Sequence, residues 1–416
     1  MGGDRGRARG APGRRGGARA GGAQSSSGPS GLSRPFLIVS AGEPSGDRLG
    51  ADLLEALRAR GIAAEAAGIG GPRLRAAGLQ ALVPMESIAV MGFASLLGKL
   101  PEIRRARNAI LRLVRDHPDA IFLPIDSPGL HLGLAHAAKR LGRRVVYYVC
   151  PQIWAWGGKR VGRMREDVDL TLLLFGFEVE LLARAGARAT WVGHPAGALK
   201  PEPERYLAAK AALGVGPEER LVALLPGSRR EEVGRHLGPM LDGLARLTNH
   251  LGGRVRAAVS DAGPVSSVLR ANAAARRDWD TLAPIHWRGE ARDLLRAADA
   301  AVVASGTATL ETAALGIPQV IVYRTGRLNY EIARRLVRVP SIGLANLVAG
   351  RAAAPELIQD EVRGDRIAQE LARLLTDERA RDAQLRAFAS IPERLGGPGA
   401  ADRAAEALIE FAGWVA

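Results

Sequence analysis

The chain of 416 residues carries a formal charge of +15, is 47% hydrophobic and has one cysteine. That length accommodates two cores, since a single core stops growing near ~250–300 residues, and the lone Cys150 excludes an internal disulfide and any multi-cysteine metal site. No apolar run reaches the ~18–20 residues that span a bilayer and no secretory h-region opens the chain, so a cytoplasmic protein in a reducing compartment is expected.

Residues 1–34 are rich in Gly, Arg, Ser and Ala and nearly free of large apolar side chains. Such a segment buries too little surface to offset its ordering entropy and is expected to be disordered. Its Arg14-Arg15-Gly16-Gly17 pattern suits either loose nucleic-acid binding or a dispensable basic tail. The rest remains basic, which favours anionic ligands or anionic lipid headgroups.

From Phe36 onward, short β-rich runs alternate with helical patterns. FLIV precedes a helix expected over 49–60; AIFLPI precedes one over 132–141; VVYYV and TLLLF follow. The rhythm pauses near Lys200-Pro-Glu-Pro and restarts at LVALLPGSRREEV, continuing through RVRAAVS, the segment around Ile285 and AAVVASGTATLETAALGIPQVIVYR. This pattern predicts an α/β protein of two doubly wound, Rossmann-like domains facing across a cleft, with a hinge near 198–205. The expected divisions are the 1–34 tail, an acceptor-binding and membrane-associating domain over 35–200, a donor-binding domain over 201–390, and a C-terminal helix over 391–416 that crosses back to the first domain.

Ligands of such sheets bind beyond the carboxyl ends of the strands, which selects the loops 42–47, 126–128, 226–229 and 305–309. In AGEPSGDRLG, the residues Glu43, Ser45 and Asp47 offer acceptors and a hydroxyl but no phosphate cation, so this loop suits a sugar acceptor or scaffolding of a catalytic site. Asp126 ends a buried strand; it is placed either to take a proton from a hydroxyl nucleophile or to cap the next helix. Gly227, Ser228 and Arg229 combine close backbone approach, a donor and a planar cationic fork before a helix. They read as a diphosphate site or as a capped helix with a solvated arginine. Ser305, Gly306, Thr307, Ala308 and Thr309 open a small-residue helix with Glu311 one turn in. Exposed amides there attract phosphate, and Glu311 suits ribose hydroxyls, although a carboxylate near a helix start also stabilises the helix dipole. Two phosphate-type loops in one half imply a nucleotide-diphosphate donor.

Three further stretches need weighing. Gly68-Ile-Gly-Gly71 is too incomplete for a dinucleotide fingerprint. Asp167 and Asp169 have metal-pair spacing but precede a strand, where a solvated turn is expected, and no other cluster has metal spacing. Ile88, Val90, Met91, Phe93, Leu96, Leu97 and Leu100 form an apolar stretch near Arg104, Arg105 and Arg107. It reads as an interior helix or as a surface entering lipid, and the Trp154–Trp156 corner beside Lys159 and Arg160 has the same two readings.

With these residues in view, the chain resembles the lipid-A-disaccharide synthases (glycosyltransferase family 19) from about Pro35 to about Arg373. AGEPSGD, AVMGF, the Asp126-Ser-Pro element, VVYYVCPQIWAW, VGHP, LLPGSR, ASGTATLE and NLVAGR followed by PELIQ appear in order. The resemblance implies a glycosyltransferase-B fold, inversion at the anomeric carbon, UDP-2,3-diacylglucosamine as donor and 2,3-diacylglucosamine 1-phosphate (lipid X) as acceptor. It places functional positions on Glu43, Ser45, Asp126, Arg229 and Asn346. No metal or other cofactor, no specific nucleic acid, attachment to the cytoplasmic face of an anionic inner membrane and room for a homodimer are the accompanying expectations. The chain departs from the family at Gly129, Leu130 and His131, where relatives commonly read Asp-Phe-Asn, at Gly197 and Ala198, and at Ala94 or Ser95, which bears on acceptor contacts. Rival expectations are a cell-wall N-acetylglucosaminyltransferase, a nucleotide-sugar epimerase, or a basic RNA-binding protein carried by the tail.

Overall fold

Strand runs whose residues are almost all apolar bury both faces, the condition of parallel sheets covered by helices on each side. The computed structural model describes residues 34–88, 100–151, 158–252, 254–261, 266–275, 279–327, 330–331, 334 and 340–415. The first sheet holds β1 (Phe36–Ala41), β2 (Glu65–Gly70), β3 (Gln80–Pro84), β4 (Ile121–Ile125), β5 (Arg144–Tyr148), β6 (Leu170–Leu173) and β7 (Ala189–Trp191). The second holds β8 (Arg220–Leu225), β9 (Val255–Ser260), β10 (Ile285–Trp287), β11 (Ala300–Ala304), β12 (Gln319–Tyr323) and β13 (Glu356–Ile358). Their orders are 3-2-1-4-5-6-7 and 10-9-8-11-12-13, with every pairing parallel.

In each sheet the winding reverses once among the central strands, between β1 and β4 and between β8 and β11. The loops after those four strands are the four selected from sequence, so each sheet's crevice is lined by two of them.

Several local expectations change. The helix after β1 spans Pro44–Ala59 rather than starting at Leu49, because Pro44 supplies a preset φ at the first turn. Most of AGEPSGD is therefore helix start, not loop. Gly68-Ile-Gly70 forms the end of β2, a strand that turn-like glycines concealed, and Gly71 is the N-cap of the helix that starts at Pro72. At Gly68 a Cβ would lie 2.0 Å from the Val39 carbonyl oxygen, so glycine there serves strand packing. The helix after β4 spans Pro128–Arg140, earlier than expected.

The two lobes share one apolar cluster. It joins Leu37, Val39 and Leu123 of the first lobe to Leu310, Ile321 and Val348 of the second, through Phe388, Ile391, Leu395 and Leu408. The last helix, Ala400–Ala412, packs against Pro44–Ala59. Arg60 pairs with Asp402 at 2.6 Å, and Arg144 donates to the Ala412 carbonyl at 3.2 Å. No helix among the described residues is long and apolar enough to cross a membrane.

Candidate active site

Asp126 follows β4 in a left-handed conformation, φ 50°, and Ser127 does the same at φ 46°. The Asp126 amide donates to the Tyr148 carbonyl at 2.9 Å. Its own carbonyl accepts from His131 Nδ1 at 2.7 Å and the Tyr147 hydroxyl at 2.8 Å. Burial, and then the negative charge of Glu43, push the Asp126 carboxyl up to about 6, against the opposing pull of its backbone hydrogen bond and Arg229. A carboxyl so tuned is ionised at neutral pH yet basic enough to take a proton.

Arg229 stands across the crevice from Asp126's loop. Its Nη2 donates to both Glu43 carboxylate oxygens at 2.8 Å, and its Nη1 to Glu232 Oε1 at 3.0 Å. Gly227 must remain glycine, because its φ is 119° and a Cβ would meet Glu232 Oε2 at 2.6 Å. Ser228 is exposed beside it. His236, buried in the following helix, donates from Nδ1 to the Pro226 carbonyl and accepts the Arg324 amide, both at 2.9 Å. It thus ties this loop to the end of β12.

The second crevice loop is held from beneath. Ser305 Oγ donates to the Ile342 carbonyl at 2.8 Å, and Thr309 Oγ1 donates to the Gly306 carbonyl at 2.7 Å while accepting the Ala345 amide at 3.3 Å. Gly306, Thr307 and Ala308 remain on the open side, with nothing within 4 Å of the position a Gly306 Cβ would take. Glu311 lies one turn further, and burial raises its proton affinity against the opposing charges of Arg48 and Arg292. Arg48 reaches it from the first lobe at 3.5 Å. With Arg229–Glu43 and an Arg73–Glu290 pair, this makes three ion pairs joining the lobes among the described residues.

Glu43, Asp126 and Arg229 thus interact directly, Gly227 and Ser228 adjoin Arg229, and Glu311, one turn beyond Gly306, Thr307 and Ala308, meets the first lobe through Arg48. Ser45 is exposed on the first turn after Glu43. Four expectations need correction. Asn346 is 1% exposed and spends its amide on the Ala354 carbonyl, Glu356 and the Ala353 and Ala354 amides, so it braces rather than faces a ligand. Through Glu356 it holds the Ile342 and Gly343 amides, and hence the segment that Ser305 grips. Ser305 and Thr309 likewise spend their hydroxyls internally. Asp47 is buried and accepts the amides of Gly71, Arg73 and Leu74, capping the helix at Pro72. Asp167 and Asp169 do not form a free turn. Asp167 accepts from His136 at 2.8 Å, and Asp169 accepts from Lys139 at 2.6 Å and the Val145 amide at 2.8 Å.

Val90, Met91, Phe93, Leu96, Leu97, Trp154 and Trp156 lie outside the described residues. Leu100 begins the helix Leu100–Asp116 and is 37% exposed. Among the described residues, no group of three His, Cys, Asp or Glu is arranged to hold a metal. The sequence reading missed Arg48, Glu232, His236 and the clamp residues His131 and Tyr147. Arg48 and Glu232 adjoin the motifs that were read, but nothing local signals their cross-lobe or cross-loop partners.

A family model described as lipid-A-disaccharide synthetase matches residues 37–395. Lipid-A-disaccharide synthase of Pseudomonas aeruginosa (strain UCBPP-PA14) is 40% identical over 384 residues, covering 90% of this chain and 97% of the relative. The enzyme of the same name from Myxococcus xanthus is 36% identical over 378 residues, covering 91% and 97%. Among solved structures, Arabidopsis thaliana UGT89C1 complexed with UDP superposes with a TM-score of 0.59 at 15% identity, covering 91% of this chain and 100% of that one. Acinetobacter baumannii MurG gives 0.54 at 13%, covering 91% and 99%. These two show the fold alone.

Proposed function

The chain belongs to the lipid-A-disaccharide synthase family and is a glycosyltransferase of the glycosyltransferase-B fold; from that premise we propose which substrates its crevice takes and which residues act on them. The donor is UDP-2,3-diacylglucosamine and the acceptor is lipid X. The acceptor 6-hydroxyl attacks the donor anomeric carbon and passes its proton to Asp126. The bond to the β-phosphate breaks, UDP leaves with the electron pair, and the configuration inverts to the β-1,6-linked disaccharide 1-phosphate.

One observation carries the assignment: Arg229, from the donor lobe, is held by Glu43 within the electrostatic field of Asp126. In the donor complex Arg229 exchanges Glu43 for the diphosphate. The exchange meets the charge growing on the leaving group and leaves Glu43 unneutralised, which raises the basicity of Asp126. Ser228 and the amides at Thr307 and Ala308 add donors, and Glu311 accepts from the ribose. Since Arg229 supplies the cation, turnover proceeds without a metal and persists in EDTA.

The test is incubation with both acylated sugars and mass detection of disaccharide and UDP. A donor panel lacking the acyl chains separates this reaction from N-acetylglucosaminyl transfer or epimerisation. Asp126→Asn lowers turnover by ~10²–10⁴ with UDP binding kept. Near-normal turnover in that variant removes Asp126 as the base.

The same reading puts the enzyme at the cytoplasmic face of an anionic membrane. Arg104, Arg105, Arg107, Arg112 and Arg115 are all exposed on the helix Leu100–Asp116, which supports attachment to acidic headgroups. Replacing Arg104, Arg105 and Arg107 by Ala lowers sedimentation with anionic vesicles and leaves UDP binding intact. Unchanged sedimentation defeats the attachment site. A homodimer belongs to the same proposal and is read from sedimentation velocity.

A further inference from the structure

We propose that His131 is a positioning residue for the transfer: its buried imidazole joins the loop of Asp126 to the strand that leads into Glu43, and so sets the two carboxylates against each other. The inference rests on Asp126 being the base.

Both ring nitrogens are committed. Nδ1 lies 2.7 Å from the Asp126 carbonyl oxygen, which only accepts, so Nδ1 carries the hydrogen. Nε2 lies 2.8 Å from Ser40 Oγ and therefore accepts from that hydroxyl. Ser40 is fully buried near the end of β1, three residues before Glu43. The ring itself is fully buried, and burial lowers its proton affinity to about 4, which keeps the imidazole neutral in this tautomer.

The clamp has something to resist. Asp126 and Ser127 are consecutive non-glycine residues with left-handed φ. Such conformations persist only where the surroundings over-determine them. The Tyr148 carbonyl holds the Asp126 amide, while His131 and Tyr147 hold its carbonyl from two directions. Without the imidazole hydrogen bond the peptide plane between Asp126 and Ser127 rotates more freely, and the carboxylate it aims wanders with it. The amino acids Gly42 and Ser127 pack in the same place, since a Cβ on Gly42 would come within 2.7 Å of Ser127 Oγ. The two loops are therefore in close contact at this point.

Two amide replacements separate the ends of the bridge. His131→Asn puts an N–H near the place of Nδ1 and keeps the bond to Asp126; His131→Gln reaches toward Ser40 and loses it. The expected result is kcat within ~3-fold of the parent for His131→Asn and ~10²-fold lower for His131→Gln, with the donor KM unchanged in both, as for a misplaced catalytic group. Equal kcat in the two variants, or a matching rise in donor KM, overturns the proposal. If neither variant folds, Tyr147→Phe decides: a ~5-fold lower kcat at constant donor KM supports the clamp, and an unchanged kcat overturns it. Asp126→Asn run in parallel keeps the two questions apart, because normal turnover there removes the base itself, whatever His131 does.

Discussion

Asp126 meets opposing influences: burial and Glu43 disfavour its charge, while Arg229 favours it. If it is the base, kcat/KM falls with decreasing pH along a one-proton limb near pH 6, because the free enzyme loses the carboxylate there. Glu43→Gln removes the neighbouring negative charge, so the limb moves to lower pH; a limb that stays put shows that Glu43 does not act on Asp126. The same shift makes a stability claim. A carboxyl whose folded-state affinity for the proton is raised favours the fold at low pH and loses that advantage as pH rises through about 6. Asp126→Asn is therefore expected to stabilise the protein at pH 8 by on the order of 3 kcal/mol or less, and not at pH 3, as read from paired urea titrations. Asparagine also tolerates the left-handed backbone. Loss of stability at pH 8 would mean that the carboxylate is a structural partner.

At the scale of elements, the crevice loops are short and their order comes from below. The loop opening at Ser305 depends on a relay of side chains: Ser305 on Ile342, Glu356 on Ile342 and Gly343, and Asn346 on Glu356. Asn346→Ala takes away the acceptor of the buried Ala354 amide and removes one donor each from the Ala354 carbonyl and Glu356. The expected cost is ~2–3 kcal/mol of stability together with weaker UDP binding. A pure loss of kcat at unchanged stability would instead return Asn346 to the chemistry. Helix starts behave similarly. Pro44 begins the helix that carries Ser45 and Arg48, and Asp47 of that helix caps the one at Pro72, so one acidic side chain orients two helices.

For the whole molecule, the ion pairs and the shared core do different work. The pairs that join the lobes are partly exposed, and each such pair contributes only ~0.2–1 kcal/mol. They set orientation and yield to a charged ligand. Cohesion comes from the apolar cluster that runs from β1 through the C-terminal helix to the helices behind β11 and β13. Leu408→Ala, in that helix, is expected to cost ~2–5 kcal/mol and to lower the stability of both lobes at once. Guanidinium unfolding followed by tryptophan fluorescence and far-UV circular dichroism is expected to give one coincident transition; two separated transitions would show independent lobes.

Periodicity and punctuation sufficed for two parallel-sheet halves and for the loops after β1, β4, β8 and β11. Those features are local: apolar runs mark buried strands, and glycine, serine and charged residues at their ends mark where the chain must turn toward a ligand. The motifs also determined the family. Which polar residue faces the ligand and which braces the backbone was decided only by tertiary structure. Asn346, Ser305, Thr309 and Asp47 look like ligand groups in the sequence, yet their partners are amides and carbonyls brought close by folding. His131 looks like a departure from the family pattern, yet it is the bridge between Ser40 and Asp126. A hydrogen bond's partner is set by where two distant segments meet, and a single sequence without covariation holds no record of that meeting.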